Sequence, residues 1–254
     1  MSGAKADPPR FVKLISDRAP RTTVTADEAL SDWRVAGDDG LRVALNMIAS
    51  VDGRIAVDGR SAALGGPADR ALFHALRARA DAVMAGAGTV RSERYGPIIR
   101  DRAVRERRVE EGLSPQPVAV IVSRRLDLDP TLPLLHDRES RVVIVTPAAG
   151  DLPYCRASVD YIRGASLQAA LGELQERYGA NLILCEGGPS LNASLAVESL
   201  IDELFLAISP QLVGDAPGAG ALLTGGAPAK PQQLDLRMLL EHDSQLYARY
   251  VSRR

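Results

Sequence analysis

Apolar residues gather in seven short runs along this chain, at 42–49, 81–86, 117–123, 141–146, 157–162, 181–185 and 203–209. Several of them, such as VVIV at 142–145 and LILC at 182–185, are continuously apolar rather than alternating, the pattern of strands covered on both faces. Between the runs the period lengthens. PADRALFHALRARA (67–80) groups Leu72, Phe73, Leu76 and Ala80 on one side of a helix that opens with Pro67, and SLQAALGELQERYG (166–179) groups Leu167, Ala170, Leu171 and Leu174 before stopping at Gly179. Strands alternating with helices predict an α/β fold: a mostly parallel central sheet with helices on both faces. The C-terminal stretch LDLRMLLEHDSQLYARYVSRR (234–254) breaks the alternation. Two extended runs flank EHDSQ, which predicts an antiparallel hairpin, although LRMLL is also open to a helical reading.

No repeat at a solenoid period and no low-complexity linker divides the chain, so the expectation is one domain over 41–254 preceded by an N-terminal extension, 1–40. The first dozen residues read as a disordered or loosely docked tail. Within TVTADEALSDW (23–33), Thr25 followed by Glu28 has the spacing of a helix-capping box. The charge-dense IIRDRAVRERRVEEG (98–112) reads as a solvated helix or a mobile loop.

Composition narrows the function. A formal net charge of −1 provides no global field for nucleic acid or an anionic membrane, so any anion must be held by local groups. The apolar runs are too short to span a bilayer, and MSGAKADPPR lacks the apolar core of a signal peptide. Cys155 and Cys185 have no CxxC partner and no nearby histidine, which argues against a zinc site or a disulfide and for a reduced, cytoplasmic setting. His74, His136 and His242 do not cluster, so no metal is called for, and His74 reads as a structural mid-helix residue.

Ligands of an open parallel sheet gather at the carboxyl ends of its strands. Four loops at such ends share a vocabulary of glycine, serine and threonine: 49–66, 86–97, 123–125 and 186–192. Glycine lets backbone N–H groups approach a ligand, and a following helix turns its unpaired N–H groups and positive dipole end toward it. GGPS (187–190) within EGGPSLN (186–192) therefore reads as a phosphate cradle of Gly187, Gly188, Pro189 and Ser190, with Pro189 at the first helical position and Ser190 and Asn192 as side-chain donors; a plain tight turn is the alternative. GAGTVR (86–91) begins like a dinucleotide fingerprint at Gly86 and Gly88 but ends in arginine, and it follows the second main strand. No lysine follows either loop, so neither is a P-loop. Asp52 precedes a glycine in SVDGR, which is explained equally by an Asp-Gly turn and by a role near the first-loop ligand contacts, orienting ribose hydroxyls or relaying a proton.

NMIASVDGRIA (46–56), RSAALGGPADRALFHALRARADAVMAGAGTVRSERYGP (60–97) and LILCEGGPSLNASLAVESLIDELFLAISPQLVGD (182–215) resemble, in order, the signature stretches of the riboflavin-biosynthesis reductase domain. The resemblance runs from about residue 41 to the C-terminus. It implies a dihydrofolate-reductase-like fold and NADPH-dependent reduction of the ribose of 5-amino-6-(5-phosphoribosylamino)uracil to the ribitylamino product.

Residue by residue, the resemblance implies cofactor contacts at Ala49, Ala63, Thr89, Glu93 and Ser123 and along Gly188 to Ser194, which includes Leu191. It implies that Ser61 and Arg77 hold the ribose phosphate and that Arg100 and Glu186 bind substrate. Arg124 and Arg125, beside Ser123, could pair with the 2′-phosphate that distinguishes NADPH. Where relatives commonly have DDP, this chain has ERYGP. The proton donor is left open between Asp52, Glu186 and a bound water. Relatives also commonly pair as homodimers. Larger members carry a zinc deaminase domain with H-x-E and P-C-x-x-C, neither of which occurs here. Two other readings stay open: an NADPH-dependent reductase acting on a pterin, and a non-catalytic nucleotide-binding protein.

Overall fold

The computed structural model describes residues 10–16, 22–34, 40–215 and 217–253. In chain order its strands are β1 (Phe11–Ser16), β2 (Thr23–Val24), β3 (Arg42–Ser50), β4 (Ala82–Gly86), β5 (Val118–Val122), β6 (Arg141–Thr146), β7 (Ser158–Arg163), β8 (Leu182–Cys185), β9 (Glu203–Ser209), β10 (Leu234–His242) and β11 (Gln245–Ser252). The helices are α1 (Ala26–Ala29), α2 (Pro67–Arg79), α3 (Ala87–Ser92), α4 (Arg102–Glu110), α5 (Pro133–His136), α6 (Leu167–Tyr178) and α7 (Pro189–Val197).

These strands join one sheet in the order β2-β1-β10-β11-β9-β3-β8-β4-β5-β6-β7. From β9 through β7 every pairing is parallel, and the remaining pairings are antiparallel. The expected α/β architecture with its C-terminal hairpin is present. LRMLL belongs to strand β10: pairing with β1 on one side and β11 on the other outweighs local helical preference. Asp243 and Ser244 both take positive φ, 48° and 64°, a two-residue turn whose twist suits the flanking strands. β1 and β2 extend the sheet beyond β10, and Thr25 and Glu28 form the capping box of α1. The tail reading for the first dozen residues lies outside the described residues at 1–9 and is overturned at its end, where Phe11 is fully buried in β1 and pairs with Val24 of β2.

The continuously apolar strands are buried on both sides. Ala44, Val83, Ile121 and Ile144 face one core cluster, with Leu72 and Leu76 of α2; Val43, Met84, Val120 and Val143 face a second, with Leu171, Leu174 and Leu195 of α6 and α7. Each strand thus alternates between two apolar layers, which is why it shows no polar alternation in sequence.

The charge-dense stretch is mostly helix α4, and one of its arginines is not solvated. Arg108 is 1% exposed and donates from Nη1 to the carbonyls of Ala78 (2.7 Å) and Ala80 (2.9 Å), closing the C-terminal end of α2. Burial lowers its pKa to about 10. Unpaired terminal carbonyls of a buried helix require such a donor, and α4 thereby fixes the end of the helix that carries Arg77.

Candidate active site

The strand order decides where the site forms. β8 lies between β3 and β4, so the turn after β8 packs directly against the turn after β4. The Gly86 N–H donates to the Gly187 carbonyl at 2.8 Å, locking the two turns together, and the Gly187–Gly188 peptide is cis. Space there is tight: a Cβ on Gly188 would stand 2.9 Å from the Thr89 hydroxyl oxygen. Gly86 is the N-cap of α3 and Gly188 that of α7, and neither helix start has a side-chain cap. Two sets of unpaired N–H groups therefore lie side by side at the head of the sheet.

These turns open into a cleft of about 1420 Å³ that runs from the β3–α2 loop past α3 to the end of β5. Gly86, Gly88, Thr89, Gly188, Pro189, Ser190 and Leu191 line it on the turn side, with Ser123, Arg124 and Arg125 at the end of β5. Ser61, Glu93, Arg77, Arg100 and Glu186 line the other part. The Ser61 hydroxyl donates to Glu93 at 3.2 Å, so the loop after β3 is fastened to the end of α3.

At the floor, Arg77 and Glu186 face each other. Nε donates to Oε1 at 2.6 Å and Nη2 to Oε2 at 2.7 Å, a bidentate pair with each residue 8% exposed. The Tyr95 hydroxyl donates to the same Oε2 at 2.5 Å. The Phe73 ring lies 4.0 Å from the Arg77 guanidinium carbon, adding a cation–π contact. Burial lowers the Arg77 pKa, but the Glu186 charge and hydrogen bonds outweigh it and hold the guanidinium above its ordinary value. Burial and the same carboxylate push the Tyr95 phenol well above the usual range, so it stays protonated and donating.

Six expected residues stand apart from the cleft lining, among them Asn192 and Ala193, which are buried on α7. Ala49 is 8% exposed and paired in the sheet opposite Ile208, while Asn46, Met47 and Ile48 of the same strand reach the cleft. Ala63 is exposed, and its carbonyl accepts from the Gln211 side chain; its neighbour Ala62 reaches the lining. Gly187 is buried behind the turn, where its carbonyl is taken by Gly86. Asp52 departs furthest from expectation. Its carboxylate accepts from the Ser50 hydroxyl (2.5 Å) and from the N–H groups of Val213 and Gly214, clasping the β3 loop to the segment after β9. Those bonds lower its pKa to about 2 and occupy the lone pairs a catalytic role would need.

Arg77 lines the cleft with its guanidinium already paired. The expected phosphate-holding arginine is bound to Glu186, with two of its donors committed, whereas Arg100 is exposed on the cleft. Residues missed in the sequence include Tyr95, inside the departure ERYGP, and Asp69, which carried no motif at all. His74, read as structural, is exposed and lines the cleft, its pKa lowered first by burial and then by Arg77. No helix among the described residues is long and apolar enough to cross a membrane.

The fold is shared with solved structures. A pyrimidine reductase-like protein from Corynebacterium diphtheriae superposes with a TM-score of 0.76 at 23% identity, covering 91% of this chain and 100% of that one. A diaminohydroxyphosphoribosylaminopyrimidine deaminase/5-amino-6-(5-phosphoribosylamino)uracil reductase from Thermotoga maritima follows at 0.66 and 23%, covering 84% and 57%. The architecture is thus that of the pyrimidine-reductase-like α/β domains. In sequence, residues 42–246 match the model of the RibD C-terminal domain, and the chain belongs to that family of oxidoreductases. A relative in Archaeoglobus fulgidus, named 2,5-diamino-6-ribosylamino-4(3H)-pyrimidinone 5′-phosphate reductase, is 29% identical over 184 residues, covering 69% of this chain and 84% of that protein.

Proposed function

We propose that this chain reduces the ribose carbon of a 6-(5-phosphoribosylamino)pyrimidine to the ribitylamino product, with NADPH as reductant, in the riboflavin pathway. The Thermotoga relative is named for the aminouracil form of that substrate and the Archaeoglobus relative for the diaminopyrimidinone form. The observation that carries the reading is the pair of uncapped helix starts held together by the Gly86–Gly187 bond at the edge of a long cleft.

A dinucleotide fits there. Gly88 has open space where a side chain would stand, and the N–H groups of α3 and α7, with Thr89 and Ser190, form the diphosphate cradle. Arg124 and Arg125 take the 2′-phosphate at the end of β5. NADPH, when bound, supplies a hydride. Ser61 and Arg100 hold the substrate phosphate, while the Arg77–Glu186–Tyr95 cluster shapes the floor beneath the sugar.

In the first step the C1′–O4′ bond breaks as the glycosylamine nitrogen forms a double bond to C1′, and its proton moves to O4′. Hydride then adds to C1′ and one proton to the nitrogen. The protein's part is alignment and exclusion of water. A cytoplasmic homodimer completes the proposal, with sedimentation as its check.

The test is NADPH oxidation with each phosphoribosylaminopyrimidine and with dihydrofolate. Turnover of a phosphoribosylaminopyrimidine is the expected result. Turnover of dihydrofolate alone would establish the pterin reading, and saturable NADPH binding with no turnover of any substrate would establish a binding protein.

A further inference from the structure

Asp69, on the cleft lining, has no part in this scheme. Asp69 is the third residue of α2, and it lines both the large cleft and a small cavity of about 20 Å³ behind it, shared with Asn46, Phe205 and Tyr247. Its Oδ2 stands 2.6 Å from where a Cβ on Gly65 would be, so the side chain is seated against backbone. Among the described residues its carboxylate has no hydrogen bond and no ion pair; Arg70 acts on it only through its charge. Burial raises its pKa to about 6. The neighbouring Tyr247 hydroxyl is buried against the backbone of Asp69, and burial first, then the Asp69 charge, raises its pKa.

Asp69 is half-buried, and drawing an unpaired carboxylate partly out of water is costly unless a ligand completes it. The carboxylate on the cleft floor is not available, because Arg77 holds both oxygens of Glu186 and Tyr95 takes a further lone pair. Of these two groups, only Asp69 offers the cleft an uncommitted edge of two acceptors. A 2-aminopyrimidin-4(3H)-one presents two adjacent donors, the ring N3–H and the 2-amino N–H, which match a carboxylate in two parallel bonds. A uracil presents N3–H beside the O2 carbonyl, so one carboxylate oxygen would meet another oxygen.

Resting on the substrate class proposed above, we infer that Asp69 is the specificity residue that selects the 2-amino ring over the 2-oxo ring. The amide introduced by Asp69→Asn would offer one acceptor and one donor, which matches the uracil edge, so the substitution reverses the preference.

The experiment is kcat/KM for the diaminopyrimidinone and the aminouracil phosphoribosylamines, each with saturating NADPH, in the wild-type enzyme and in Asp69→Asn. The expected wild-type preference for the diamino ring is on the order of tenfold or more, because a polar site left mispaired rejects the wrong ring strongly. Asp69→Asn is expected to lose roughly 10- to 100-fold on the diamino ring, mainly through KM, and to gain on the aminouracil. An unchanged ratio in an enzyme that reduces both rings overturns the role of Asp69 while leaving the reductase reading intact. Reduction of neither ring by the wild-type enzyme overturns both. Calorimetric titration of the wild-type protein with NADP and the two unreacted ring analogues needs no variant, and equal affinities would overturn the inference.

Discussion

The Arg77 guanidinium meets the Glu186 carboxylate through two parallel hydrogen bonds, 2.6 and 2.7 Å, on a floor where both residues are 8% exposed. The pair joins α2 to the end of β8 across 109 positions of sequence. Buried ion pairs of this kind contribute little net stability when intact, because desolvation offsets attraction, but losing one partner strands the other. Arg77→Met or Glu186→Leu alone should therefore destabilise by about 3–5 kcal/mol, and the double variant should regain most of it while staying inactive. Urea denaturation with parallel kcat/KM measurements reads both effects.

Tyr95 donates to a charged acceptor that is already doubly bonded, and its phenol cannot ionise at working pH. Tyr95→Phe removes one charge-assisted bond and should cost roughly 1.5–3 kcal/mol in chemical denaturation.

Two aspartates give opposite pH signatures. Asp52 is depressed from 3.8 to about 2, so its stabilising contribution is complete above pH 4 and disappears as pH falls through about 2; Asp52→Asn should flatten the stability curve in that window. Asp69 is raised from 3.8 to about 6, so the folded state binds more protons between these values and stability falls as pH rises through them. Asp69→Asn should accordingly be more stable than wild type at pH 8, by roughly 1–3 kcal/mol. Thermal unfolding from about pH 1.5 to pH 8 tests the signs, and equal midpoints for wild type and Asp69→Asn at pH 8 would contradict the second.

Gly188→Ala places a methyl group 2.9 Å from the Thr89 hydroxyl oxygen at the point where two helix starts meet. NADPH affinity should fall by about tenfold, close to 1.4 kcal/mol, with a much smaller change in melting temperature. Fluorescence titration with NADPH measures it, and pairing the change with Thr89→Ala tells whether the contact is the cause.

Much of the fold was legible because it is written in local periodicity. The apolar stripe of α2, the stop of α6 at Gly179 and the buried parallel strands each follow from residues within a dozen positions of one another. The charge-dense segment shows where that legibility ends. As a sequence it has a polar helix pattern, yet Arg108 is buried because α2 happens to end beside it. Asp52 is similar: SVDGR reads as a turn, and only the backbone of residues 213 and 214, brought alongside from after β9, makes its carboxylate a clasp.

By itself, the sequence determined the strands β3 to β9, the helices α2 and α6, and that glycine-rich turns follow several of those strands, since backbone preference and burial pattern act over short range. The tertiary structure decided which of those turns share a cleft, that Arg77 is held by Glu186, and that Asp69 is left without a partner among the described residues. Those outcomes depend on β8 inserting between β3 and β4. Pairing among side chains far apart in the chain is set by how whole layers pack, and no local pattern encodes it.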